Sequence, residues 1–229
     1  MSRCILILLW AALALPVAGV SAQDAGPVRR DHLSAQLVAA DRAVAPGGTL
    51  DVALRLVHDE HWHTYWLNPG DSGLATRLAW TLPEGVQAGP IRWPAPSRLP
   101  LGPLVNFGYE GDLLLPVRIE LPADLAPGST FEATVKASWL VCKEECIPGD
   151  ATLSLALPVV DAARRDGEWA PRIAAAMAAE PPRVDWPARF AREGGGRNGK
   201  DKDQHTEKNG IFFHHVQSRV EVVRVGGYT

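Results

Sequence analysis

The chain has 229 residues, a formal net charge of −3 and eight tryptophans. No basic stripe is present, which sets nucleic acid aside as a partner. The length suits one good-sized domain with part of another, and the aromatic content is ample for a packed core.

The first residues set the compartment. Arg3 provides a short positive region, Ile5 to Leu15 is an unbroken apolar stretch, and Val20-Ser21-Ala22 is a small-residue cleavage site. This pattern predicts a secretory signal peptide over residues 1–22 and an exported, periplasmic mature chain. The apolar run is shorter than the ~20 residues of a spanning helix. Cys4 leaves with the leader, so Cys142 and Cys146 remain as an even pair in an oxidising compartment.

From 23 to 160 the pattern predicts an all-β domain. Leu33 to Ala40 reads as a first strand. After the turn Pro46-Gly47-Gly48, Thr49 to His58 alternates, with Leu50, Val52, Leu54 and Leu56 on one face. Shorter strands are expected at His61–Leu67, Leu78–Leu82, Ile91–Trp93 and Leu113–Leu121. Pro69-Gly70, Pro83-Glu84-Gly85 and Pro127-Gly128 punctuate them. Pro116 marks the last of these as an edge or bulged strand. Thr130 to Val141 alternates again, with Phe131, Ala133, Val135, Ala137, Trp139 and Val141 inward. Ala151 to Pro158 follows, with Leu153, Leu155 and Leu157 inward. Short strands with regular turns predict an immunoglobulin-like antiparallel β-sandwich. The spaced Trp66, Trp80, Trp93 and Trp139 read as core rather than as a binding cleft.

Residues 161–191 change character. They are Ala- and Arg-rich, with Ile173 and Met177 at helical spacing, and predict a short C-terminal helix or linker that ends at Pro181-Pro182. The tail from 192 to 229 has no Ala, Leu, Pro or Trp. That break in composition suggests a shifted reading frame or a truncated second domain, with poor order over about 192–207.

The chemistry centres on Trp139-Leu140-Val141-Cys142-Lys143-Glu144-Glu145-Cys146-Ile147-Pro148. On a straight strand the two cysteines would lie roughly 13 Å apart. A disulfide needs Cα atoms within about 7 Å, so the chain must turn at Lys143–Glu145 for them to bond. A static staple is the ordinary reading of such a pair in an exported protein. A five-residue loop, however, gives only about 2 kcal/mol of chain-entropy stabilisation, and a short strained loop makes the bond labile. Lys143 favours a thiolate while Glu144 and Glu145 oppose it.

This motif, together with Trp62-His63-Thr64-Tyr65-Trp66-Leu67-Asn68-Pro69-Gly70-Asp71-Ser72-Gly73 and Gly102-Pro103-Leu104-Val105-Asn106-Phe107-Gly108-Tyr109-Glu110-Gly111, resembles the amino-terminal domain of the DsbD family. The closer likeness is to its ScsB branch, linked to copper tolerance. It runs from about His32 to Phe190. The resemblance implies a periplasmic thiol:disulfide interchange domain, an oxidoreductase of the protein-disulfide reductase type. Such a domain is reduced by a thioredoxin-like periplasmic domain and in turn reduces client oxidoreductases, a route that also serves cytochrome c biogenesis. It implies that Cys142 and Cys146 are the redox pair. It further implies that a cap loop shields them, with Asn106, Phe107, Tyr109 and Glu110 as its counterpart and Phe107 or Tyr109 as the covering aromatic. No cofactor and no membrane span is expected in the chain. The family's membrane and thioredoxin-like domains do not follow.

His61 and His63 would share a face on a strand, where two imidazoles suit copper or zinc. Ordinary hydrogen-bonded framework histidines are the favoured reading, so no metal site is assigned. The alternative function is therefore a copper- or protein-binding exported β-sandwich with a purely structural disulfide.

Overall fold

A computed structural model describes residues 23–24 and 26–182. The leader expected over 1–22, the end of the 161–191 segment and the tail at 192–229 lie outside the described residues. In chain order the strands are β1 (Gln23–Asp24), β2 (Val28–Arg30), β3 (Leu33–Ala39), β4 (Asp41–Ala43), β5 (Thr49–His58), β6 (His63–Gly70) and β7 (Arg77–Thr81). Then come β8 (Gln87–Ala88), β9 (Ser97–Leu101), β10 (Leu104–Glu110), β11 (Asp112–Glu120), β12 (Thr130–Cys142), β13 (Cys146–Pro158) and β14 (Arg164–Arg165), followed by helix α1 (Trp169–Ala178).

The strands form the antiparallel sandwich that alternation predicts. One sheet runs β1-β13-β12-β6-β10-β9, with β7 also on β12; the facing sheet runs β2-β3-β5-β11-β8. A small β14-β4 pair closes one side. Between the sheets lies one apolar core that includes Leu33, Leu50, Leu54, Leu56, Leu115, Ile119, Phe131, Val135, Leu153 and Leu157. Each large aliphatic or aromatic side chain buried there contributes roughly 1.5–3 kcal/mol. Trp139 belongs to this core, and Trp66, Trp80 and Trp93 pack against it. Gly149 lies opposite Trp139, and a Cβ at Gly149 would come within 2.6 Å of the indole Nε1.

Three differences from the pattern-based expectation are physical. Ile91–Trp93 is not a strand, since Pro90, Pro94 and Pro96 around it cannot sustain a ladder; its Arg92 N–H instead donates to Pro116 O at 2.8 Å. Residues 97–110 form an unforeseen hairpin, β9–β10, closed by Gly102 at φ 57°, a value glycine takes without steric penalty. Pro116 sits opposite Ala53 in a strand paired with β5 along its whole length, but with β8 only at Ile119 and Glu120. Its missing N–H therefore falls on the largely unpaired edge.

Helix α1 covers the outer face of the five-stranded sheet. Ile173 and Met177 pack on Val38, Ala40, Ala53 and Leu114. Asp166 Oδ1 accepts the N–H of both Glu168 and Trp169 at 2.8 Å, satisfying donors that the first turn leaves free. Pro171 is tolerated because it falls in that same turn. No helix among the described residues is long and apolar enough to cross a membrane.

Candidate functional site

Strands β12 and β13 form a long hairpin whose terminal register pair is Cys142 and Cys146. Lys143–Glu145 make the turn, closed by Lys143 N–H donating to Glu145 O at 3.0 Å. The Cα atoms of the two cysteines are 4.2 Å apart and their sulfurs are bonded. The turn that the cysteine spacing demands is thus the end of a hairpin. The two cysteines are not equivalent: Cys142 is 1% exposed, whereas Cys146 is exposed to solvent.

Strand β6 lies on the other side of Cys142, with His63 as its direct register partner. In turn His63 faces Glu110 of β10. Directly opposed residues share a face, with Cβ atoms about 4.5–5.5 Å apart. Glu110, His63, Cys142 and Cys146 therefore form one transverse row across four strands, on the outer face of the seven-stranded sheet. Tyr65, two residues along β6, belongs to the same face. Its hydroxyl lies 3.7 Å from Cys146 Sγ, and the His63 ring meets the Tyr65 ring edge-on at 5.2 Å. Burial lowers the pKa of His63, which the Glu110 charge partly offsets. Burial raises that of the Tyr65 phenol.

Tyr65 is buried because the backbone after β6 lies across it. A Cβ at Gly73, where φ is 98°, would stand 2.3 Å from the Tyr65 ring, so this position admits only glycine without displacement. Asn106 latches the segment: its Oδ1 accepts the Ser72 N–H at 3.0 Å and the Ser72 hydroxyl at 3.1 Å. Asp71 adds two bonds, donating its N–H to Val105 O and accepting the Val105 N–H at 2.7 Å.

The expected cap residues divide by strand parity. Asn106, Phe107, Tyr109 and Glu110 lie on strand β10, not on a loop. Asn106 and Glu110 serve the disulfide side. Tyr109 is in the sandwich core, its hydroxyl donating to Pro94 O at 2.7 Å. Phe107 meets Trp66 edge-on at 6.5 Å. The aromatic against the disulfide is Tyr65, and the covering backbone comes from residues 71–73. Tyr65 was legible as a framework aromatic but not as a site residue, because only the β6–β13 juxtaposition brings it to Cys146.

The paired-imidazole expectation also changes. His61 is exposed at φ 68° in the turn before β6, while His63 is buried on the strand, so they do not share a strand face. Nearby His58 Nδ1 donates to Gly111 O at 2.8 Å, which leaves Nε2 to accept the Thr64 hydroxyl at 3.0 Å. Among the described residues no group of three His, Cys, Asp or Glu side chains is placed to hold a metal ion.

Two further features bear on this site. Among the described residues, five buried side-chain atoms lack a protein hydrogen-bond partner: His63 Nε2, Trp66 Nε1, Thr76 Oγ1, Asn106 Nδ2 and Trp139 Nε1. All lie on β6, β10, β12 or the β6–β7 connection, and such a group costs about 1–3 kcal/mol. The exposed large apolar side chains among the described residues are Leu67 and Leu74 at 62% and Leu101 and Leu104 at 38%. Leu67 follows Tyr65 by two residues on β6, Leu74 follows Gly73, and Leu104 precedes Val105, which binds Asp71.

Residues 34–158, more than half of the chain, match the family described as thiol:disulfide interchange protein DsbD, N-terminal. Among solved structures, the N-terminal periplasmic domain of ScsB from Proteus mirabilis matches with a TM-score of 0.53 and 21% identity. That alignment covers 69% of this chain and 59% of the ScsB domain, a likeness of fold. The yeast GGA1 GAE domain aligns at a TM-score of 0.32 and 12% identity, over 58% of this chain and 96% of that one. No curated protein gave a significant match.

Proposed function

The chain belongs to the family of DsbD N-terminal thiol:disulfide interchange domains, and from that premise we propose that it is a periplasmic relay passing reducing equivalents through Cys142 and Cys146. A thioredoxin-like domain supplies the electrons and client oxidoreductases receive them. The observation that carries this reading is the asymmetry of the pair: a bonded sulfur of an exposed residue, Cys146, backed by one of a buried residue, Cys142.

Exchange proceeds by attack of a thiolate on one disulfide sulfur, which expels the other. An incoming thiolate reaches Cys146, forms the mixed disulfide there and expels Cys142 as the leaving thiolate. On the onward step the Cys146 thiolate attacks the client and Cys142 resolves the adduct. Leu67 and Leu74, exposed two residues after Tyr65 and next to Gly73, support a protein partner, because exposed large apolar side chains near a site favour an interaction surface.

Equilibration of the chain in glutathione redox buffers tests the proposal. A relay pair equilibrates with the buffer at a potential above about −300 mV and exchanges with a thioredoxin-like protein. A potential below that value, with no exchange, makes the bond a structural staple.

A further inference from the structure

The transverse row carries more than the disulfide. We infer that His63, with Glu110 behind it at the solvent edge, is the proton partner of Cys142, relaying a proton from water to the Cys142 sulfur when the disulfide opens and back to water when the disulfide closes. This inference rests on the exchange function proposed above.

The need for such a group comes from burial. When a dithiol partner reduces the domain, its thiolate bonds to Cys146 Sγ and the Cys142–Cys146 bond breaks. The electron pair of that bond remains on Cys142 Sγ. The second thiolate of the partner then attacks the partner's own bonded sulfur and releases Cys146, which is exposed and takes a proton from water. Cys142 is 1% exposed and has no such recourse. A bare thiolate in apolar surroundings is disfavoured unless a cation or donor stands beside it.

His63 stands there. It is the register partner of Cys142 on the neighbouring strand. It is buried, and its Nε2 has no protein hydrogen-bond partner while the disulfide is closed. A buried imidazole nitrogen without a partner, on the residue that opposes Cys142 across the strand pair, is a group available to the open state. On the far side, Glu110 opposes His63 in the register and is exposed, so its carboxylate favours the imidazolium from the solvent edge. The other titratable groups facing His63 are Tyr65 on its own strand, His58 from β5, and Cys142 itself. The Tyr65 hydroxyl is directed to Cys146, and His58 is held by Gly111 and Thr64. On the return step His63 takes the Cys142 proton. The resulting thiolate attacks Cys146 Sγ of the mixed disulfide, the intradomain bond re-forms, and the client leaves reduced by two electrons.

The test isolates the buried thiol. In the Cys146→Ser chain, Cys142 is titrated by thiolate absorbance near 240 nm, alone and combined with His63→Gln or Glu110→Gln. The expected result is a thiolate population at neutral pH about tenfold lower with His63→Gln, one pKa unit upward, and about two- to threefold lower with Glu110→Gln. Disulfide-closed His63→Gln should keep its melting temperature, since the residue has no bond through Nε2 to lose. An unchanged Cys142 titration in both variants overturns the inference. If His63→Gln does not fold, Glu110→Gln at its exposed position decides alone, and an unmoved titration there also overturns it. Reduction of the unmodified chain by dithiothreitol separates the two readings. A disulfide that does not react sinks the exchange function, whereas normal exchange with an unmoved Cys142 sinks only the role of His63.

Discussion

On the outer face of the five-stranded sheet, charges and apolar groups are matched. Asp112 accepts two bonds from Arg55 and one from Arg172, and these guanidiniums hold its carboxyl below the usual carboxylate range. Both arginines lie over the Trp169 ring, and Ile173 fills the space beneath α1. The outer face of the seven-stranded sheet is built differently. It is covered by a glycine-bearing segment latched through Asn106 and Asp71, it borders unpartnered polar atoms, and Leu67 and Leu74 nearby in the chain are exposed. The first face stores stability, whereas the second gives some up. The proposed relay function expects that division, because a thiol that meets another protein cannot be sealed under a helix.

Substitutions that act on one face and not the other test this division. Ile173→Ala should cost about 2–4 kcal/mol in denaturant unfolding, with no change in the rate of reduction by dithiothreitol. A slowed reduction would show that the two faces are coupled. Replacing both cysteines by serine should cost only about 2 kcal/mol, the chain-entropy value for so short a loop; a loss of 4 kcal/mol or more would identify a staple. Asn106→Ala should cost about 1 kcal/mol, since two accepted bonds are lost together with a buried unpartnered Nδ2. It should also speed reduction several-fold by releasing Ser72, and an unaltered rate would show that this latch does not govern access.

A separate effect is in pH. Burial lowers the pKa of both His58 and His63 in the folded chain. Below the unfolded histidine value of about 6.5, the unfolded chain therefore binds protons that the native chain refuses. Stability should fall as pH drops through that window, by at most about 1.4 kcal/mol per pH unit for each histidine. The slope should shrink in His63→Gln. A flat profile between pH 6.5 and 5 would contradict the buried neutral state of both rings.

Much of the sandwich was legible because period two survives in the sequence wherever one strand face meets the core. Thr49–His58 and Thr130–Val141 show it without interruption, and both are strands. β9 was not legible, since Pro100 interrupts it; β10 does alternate, Val105, Phe107 and Tyr109 against Asn106, Gly108 and Glu110, but the resemblance implied a cap loop there and hid the strand. The cysteine pair stood out through its spacing and motif. The approach of Tyr65 and His63 to it did not, because they reach it across strand pairings that join residues far apart in sequence. Phe107 and Tyr109 illustrate the limit. Both stand in a recognisable motif, yet strand parity turns them away from the sulfurs, and parity is set by register rather than by the motif.

The most direct test is to trap the mixed disulfide. Single-cysteine chains Cys142→Ser and Cys146→Ser are incubated with an activated, 5-thio-2-nitrobenzoate-capped thioredoxin-like protein, and the adducts are measured by mass spectrometry over time. Rapid adduct formation through Cys146, with little or none through Cys142, is expected in the folded chain. Equal trapping through both sulfurs, or none through Cys146, would contradict it.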